Sequence, residues 1–233
     1  MKSLSIVFIC LINYLQIFPQ GNSANEIIEK MKRNASVVHD YEVNIKVKTN
    51  VDFLKIPETE SILYFKQPNK VKLKSERFSL LPRKFSFFSP ISLIKNDATC
   101  IGEGEETFNN HKCYVIKIVP SGSDNDIVLA NTLVDKEQLV FRKVDLTTRK
   151  NGNIVLTMDY DLAMIKRYPL PSSIQFLFDF SNLKIPAEEG ETSHDSHNKN
   201  KNEKLNKGTV EIRFSDYKVN VGLTDSFFEE KKK

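Results

Sequence analysis

The stretch from residue 104 to residue 145 constrains the fold more than any other part of this chain. Tyr114, Ile116 and Ile118 alternate there with Val115 and Lys117, and Leu139 and Phe141 continue the pattern further on. An apolar side chain at every second position marks a strand with one buried face. Asn109-Asn110 precedes the first run, and Asp135-Lys136-Glu137-Gln138 separates the later ones. Asn tolerates the positive φ that a two-residue hairpin turn requires. The stretch therefore predicts four short antiparallel strands, with Tyr114, Ile116, Ile118, Leu139 and Phe141 on a common side. Such a meander has one oily surface and one wet surface.

The same pattern recurs along the chain. Tyr41, Val43, Ile45, Val47 and Val51 alternate with Glu42, Asn44, Lys46, Lys48 and Asn50. Ser61 to Gln67, carrying Leu63 and Phe65, reads as a second strand, and Val71 to Ser75 as a third after a turn at Gln67-Pro68-Asn69-Lys70. Ile154, Leu156, Met158 and Tyr160 alternate after a turn at Asn151-Gly152-Asn153. Ile174, Phe176, Phe178 and Phe180 follow. Val210, Ile212 and Phe214, then Tyr217, Val219 and Val221, read as a final short β-pair. Before the first strand, Ile27, Ile28, Met31, Ala35 and Val38 fall at helical spacing between Asn25 and Asp40. The count is one helix and ten or eleven strands in a mainly β chain. A sheet that long has to curl. Curled into an unclosed barrel, it turns its apolar face into a hollow. The candidate lining is Val43, Ile45, Val47, Leu63, Phe65, Tyr114, Ile116, Ile118, Leu139, Phe141, Leu156, Met158, Ile174, Phe176, Phe178, Ile212 and Phe214.

Two segments break the pattern. Phe78 to Ile94 is rich in Phe and Leu but punctuated by Pro82 and Pro90, and Pro is a poor member of a central strand. It reads either as a loop buried on the core or as a lid, with Phe85, Phe87, Phe88 and Leu93 as lid candidates beside Ile28 and Met31 of the helix. Residues 186–207 hold only Ala187 and Leu205 as apolar side chains and read as a flexible polar loop within one domain spanning 25–233.

The first two dozen residues read as a cleaved secretory signal. Lys2 is followed by an apolar run from Leu4 to Ile12, then by the small residues Gly21, Ser23 and Ala24. The apolar run ends well short of the ~20 residues that cross a bilayer. Beyond it lie Cys100 and Cys113, which an oxidising compartment tends to pair. A turn at Asn109-Asn110 puts Cys113 opposite Glu106 and leaves Cys100 several residues away, too far for a disulfide in a regular hairpin. Gly102 and Gly104 could break the strand and bring the two together, so a Cys100–Cys113 bond stays open.

The charge is nearly balanced, 34 basic against 30 acidic residues, without the basic stripe of a nucleic-acid binder. His39, His111, His194 and His197 lie at a helix end, in a turn and in a polar loop, without a neighbouring nucleophile. There is no phosphate-cradling glycine run and no cofactor pattern, and His194-Asp195-Ser196-His197, which could be called a metal motif, falls in the polar loop without a fixed geometry to close a site. An enzyme is not expected.

The order of short motifs resembles a known family. The helix beginning Glu26-Ile27-Ile28-Glu29-Lys30-Met31 precedes the strand at Tyr41. Next come Phe65-Lys66-Gln67-Pro68-Asn69-Lys70, Lys112-Cys113-Tyr114-Val115-Ile116, Val134-Asp135-Lys136-Glu137, Leu170-Pro171 and Tyr217-Lys218-Val219-Asn220. Together they resemble the LolA/LolB-like outer-membrane lipoprotein-sorting proteins. The resemblance implies an unclosed β-barrel with a helical lid over a hydrophobic cavity. It also implies a periplasmic protein that carries lipid-modified proteins from an inner-membrane exporter to an outer-membrane receptor. The best-known carriers place an Arg just before the Pro matched by Pro68, where it helps hold the lid closed; this chain has Gln67. A stress-sensing or regulatory module of the same fold, and a structural envelope protein, are the alternatives.

Overall fold

A computed structural model describes residues 23–51, 57–74, 98–121, 126–149, 152–179 and 207–229. Ten strands form one antiparallel sheet: β1 (Asp40–Val51), β2 (Thr59–Lys66), β3 (Lys70–Leu73), β4 (Ala98–Phe108), β5 (His111–Pro120), β6 (Ile127–Asp135), β7 (Phe141–Thr148), β8 (Asn153–Asp159), β9 (Ser173–Asp179) and β10 (Lys207–Val219). Their order across the sheet is β3-β2-β1-β10-β9-β8-β7-β6-β5-β4. Strands β3 and β4 are thus the two edges, and the sheet is unclosed. The chain between Leu73 and Ala98 connects these opposite edges. The predicted lid residues Phe85, Phe87, Phe88 and Leu93, the polar stretch 186–206 and residues 1–22 lie outside the described residues.

Alternation sets the faces. Tyr41, Val43, Ile45 and Val47 of β1 are buried, while Asn44, Lys46 and Lys48 are exposed. The turn between β4 and β5 has Asn109 at φ 46° and Asn110 at φ 64°, the left-handed pair that the Asn-Asn dipeptide predicts. It sets Glu106 opposite Cys113 and Cys100 opposite Ile118. The extra residue Glu103 in a bulge between Gly102 and Gly104 bends β4 but does not bring the cysteines together. Both thiols are free, so the open disulfide is resolved against bonding. The final β-pair is also corrected. Residues 207–219 form one strand, continuous past a register shift where Asp216 takes φ 56°. That bulge restarts the alternation at Tyr217, which imitates a second strand in the sequence.

Helix α1 spans Ala24–Ala35, shorter than the predicted 25–40. Ser23 caps it by accepting the Glu26 N–H at 3.3 Å, and Lys32 and Arg33 in the last turn suit the negative end of the helix dipole. Ile27, Ile28 and Met31 are buried together with the apolar face of the sheet. The N-terminal end of α1 lies at the edge strand: a Cβ built on Gly102 would stand 3.8 Å from that of Ala24. A second, short helix, α2 (Leu162–Ile165), sits between β8 and β9, and a 3-10 turn closes the described chain at Asp225–Phe228. The junctions α1–β1, β2–β3, β4–β5, β6–β7 and β8–β9 all lie at the same end of the sheet, called the near end below.

Candidate functional site

The apolar face is continuous and dense at its centre. Val43, Leu63, Val144, Leu146, Leu156 and Ile174 have no exposed surface. Ile45, Val47, Phe65, Ile116, Ile118, Phe141, Met158, Phe176, Ile212 and Phe214 are buried in the same cluster, and Tyr114, Leu139 and Phe178 pack against it half-buried. Phe176 and Phe178 stack at 5.9 Å. All the cavity candidates read from the sequence therefore belong to one surface. They are packed against one another and against Ile28 and Met31 of α1.

Space remains at the near end. A pocket of about 40 Å³ lies beneath the C-terminal half of α1. Met31, Ala35 and Val38 form one side, Tyr41, Phe65 and Gln67 a second, Leu139, Val140 and Phe141 a third, and Tyr160, Pro169 and Leu170 the last. Of the candidates named above, Phe65, Leu139, Phe141 and Met31 line it. Among the rest, Gln67 and Leu170 stood only in the resemblance motifs, Gln67 at the latch position, and the others were not named as site residues, because the lining comes from four connections far apart in the chain. Small-molecule sites usually enclose ~300–1,000 Å³. The pocket holds a few waters' worth of space and cannot admit an acyl chain as it stands.

Polar side chains of its lining are engaged in hydrogen bonds. The Tyr160 hydroxyl donates to Phe141 O at 3.0 Å, and the Tyr217 hydroxyl behind it donates to Pro171 O at 2.9 Å. Burial pushes both phenols well above their ordinary range, so neither ionises near neutrality. Tyr41, similarly raised by burial, stacks on Phe65 at 5.1 Å and meets Tyr217 edge-on at 5.4 Å. Gln67 donates through Nε2 to Val38 O at 2.6 Å and to Ala35 O at 3.2 Å, while its backbone N–H reaches His39 O at 2.9 Å. The position that the resemblance associates with a latch thus fastens the end of α1 to the β2–β3 turn, through a neutral amide. Leu139 holds φ 52°, a left-handed backbone that a bulky side chain adopts at a cost of ~1–2 kcal/mol.

Behind the Leu139–Phe141 wall lies a charged cluster that the sequence showed only as a turn. The register shift in the β6–β7 pair leaves Arg142 unpaired between Phe141 and Lys143, and this bulge turns its side chain toward Asp135. Arg142 Nε and Nη2 donate to Asp135 Oδ2 at 3.0 and 2.9 Å, both side chains being almost wholly buried. Asp135 Oδ1 accepts the Glu137 and Gln138 N–H groups at 2.9 and 3.0 Å. His111 Nδ1 stands 3.0 Å from Asp135 Oδ2. Burial alone would raise the Asp135 carboxyl, but the Gln138 and Glu137 amides and the Arg142 guanidinium hold it below the usual carboxylate range. Arg142 also lies 5.2 Å over the Tyr160 ring. The Asp135 carboxylate is engaged on both oxygens, so the cluster locks two turns together. Burial pushes the Cys113 thiol up, with Asp135 nearby adding to the effect, and burial likewise raises Cys100; neither is an activated nucleophile. Among the described residues no three His, Cys, Asp or Glu side chains gather to hold a metal ion.

With this geometry in hand, solved structures give the class. The chain matches a DUF1329 family protein from Desulfovibrio piger at TM-score 0.58 and 13% identity, covering 90% of this chain and 98% of that one. A LolA superfamily protein from Nitrosomonas europaea matches at TM-score 0.54 and 11% identity, covering 90% and 99%. A domain described as an outer membrane lipoprotein-sorting protein, from Vibrio parahaemolyticus, matches at TM-score 0.52 and 14% identity, covering 87% and 94%. The chain therefore has the LolA-like fold, as the order of its motifs implied. No family model matches its sequence, and no characterised protein matches it by sequence.

Proposed function

We propose that this protein is a periplasmic carrier whose apolar face takes up the acyl chains of lipids or lipid-modified proteins, for transfer toward the outer membrane. The observation that carries this reading is the uncharged face of an unclosed LolA-like sheet, with a pocket already begun beneath the end of α1. The pocket is small, so uptake requires α1 to move away from the sheet. Each methylene that enters gains about 0.8 kcal/mol, so a long chain can offset the contacts that α1 gives up. The segment 75–97, with Phe85, Phe87, Phe88 and Leu93, joins the two sheet edges and serves as the second part of the lid. The export signal read in residues 1–24 is cleaved ahead of Ser23, which leaves the helix cap and Ala24 on the mature chain, and the donor and receiver are an inner-membrane exporter and an outer-membrane receptor. The reading assigns no reaction to the protein.

The test is uptake of a fluorescent long-chain fatty acid by the purified protein, with mass spectrometry of protein from a membrane-containing host. Saturable binding and a co-purified lipid are expected. The pocket of about 40 Å³ also favours a second reading, in which the face is only the core of a structural envelope protein. No uptake and no co-purified lipid would establish that reading in place of the first.

A further inference from the structure

At the near end, α2 leaves Leu162 72% exposed, the most exposed of the large apolar side chains described. Ala163 beside it is also exposed. Met164 and Ile165 turn inward, and Lys166 and Arg167 follow at the surface before the half-buried Tyr168. An apolar tip followed at once by cations and an aromatic ring is the arrangement of an element that rests in a bilayer interface. The cations differ from their neighbours. At the same end Lys66 and Lys70 pair with Asp225, Lys136 with Glu105 and Lys218 with Glu42. Lys166 and Arg167 make no ion pair among the described residues, and Arg167 only lies over the Tyr168 ring at 5.2 Å. The acids of the same connection, Asp159 and Asp161, are exposed as well, but each is engaged by a local hydrogen bond. Asp161 accepts the Ala163 and Met164 N–H groups, and Asp159 accepts the Ser173 hydroxyl. Val37, at the exit of α1, and Val221, after β10, are each 46% exposed at this same end. Asn220 ties those two segments together by donating to Val37 O at 2.9 Å. Two residues beyond Arg167, Pro169 and Leu170 line the pocket.

We infer that the near end, with Leu162 at its tip and Lys166 and Arg167 beside it, is a docking surface for an anionic lipid bilayer. Leu162 enters the acyl boundary while the two cations meet lipid phosphates. Docking sets the pocket wall at Leu170 against the membrane. The inference rests on the carrier reading for its purpose but not for its test.

The experiment is co-sedimentation with phosphatidylcholine vesicles, with and without phosphatidylglycerol, in low salt. Unmodified protein should sediment with the phosphatidylglycerol vesicles and lose that binding as salt is raised. Leu162→Asp should weaken it about tenfold or more. Lys166→Gln combined with Arg167→Gln should weaken it by a similar factor. Both positions are exposed, so thermal unfolding should be unchanged, and fatty-acid uptake from vesicle-free solution should also be unchanged. Absence of vesicle binding, equal binding to pure phosphatidylcholine, or full binding by Leu162→Asp would each overturn the inference. Vesicle binding without fatty-acid uptake would leave the docking surface standing and defeat the carrier reading alone.

Discussion

The centre of the sheet and its near end are built on opposite terms. At the centre, Val43, Leu63, Leu146, Leu156 and Ile174 interdigitate with no surface left and no polar atom among them. At the near end the apolar packing stops short, leaving a pocket, and polar fastenings take over: Gln67 on α1, Arg142 on Asp135, Asn220 on the α1–β1 junction. Dense packing resists every change of volume, whereas a few hydrogen bonds can open and reform. The difference teaches where such a fold keeps its stability and where it can yield to a guest.

The contrast can be broken first at its charged fastening. Asp135→Asn leaves the buried Arg142 without its counter-charge and should lower stability by about 3–5 kcal/mol in urea titration. It should also flatten the acid limb of the stability profile. The folded Asp135 carboxyl titrates below its unfolded value of ~3.9. Its contribution is therefore present above that pH and lost as pH falls through the folded value. Acid unfolding as steep in Asp135→Asn as in the parent would contradict this assignment.

Next comes packing. Leu156→Ala at the fully buried centre should cost about 2–5 kcal/mol. Leu139→Gly at the pocket should change stability by less than about 1 kcal/mol, because relief of the left-handed backbone offsets the lost contacts. Equal losses at the two sites would remove the distinction between centre and rim. A smaller effect is expected at Gln67. Gln67→Ala removes two hydrogen bonds to the end of α1, about 1–3 kcal/mol, and should speed fatty-acid uptake measured by stopped flow. Slower uptake would show that Gln67 shapes the site and does not restrain it. Smaller than at Gln67 is Asn110→Ala in the β4–β5 turn, at about 1 kcal/mol with uptake unchanged.

Much of this was legible in the residues, for a physical reason. Alternation records which face is wet, so the strands and their common apolar side follow directly from runs such as Tyr41–Val47. Asn109-Asn110 gave the hairpin and with it the Glu106–Cys113 register. What stayed hidden depends on tertiary geometry. The bulge at Asp216 made one strand look like two, and the bulge at Arg142 drew an arginine into contact with Asp135 from what looked like plain alternation. The pocket is assembled from connections far apart in sequence, and its limited volume reflects how closely α1 approaches the sheet, which no pattern of residue types encodes.

That approach is open to direct test. A Cβ at position 102 would stand 3.8 Å from that of Ala24, the separation typical of a disulfide. Ala24→Cys with Gly102→Cys, in a chain from Ser23 onward carrying Cys100→Ala and Cys113→Ala, would pin α1 to the edge strand. Long-chain fatty-acid uptake should be lost when the bond is formed and restored when it is reduced. Undiminished uptake by the oxidised protein would contradict the proposal that acyl chains enter by displacing α1.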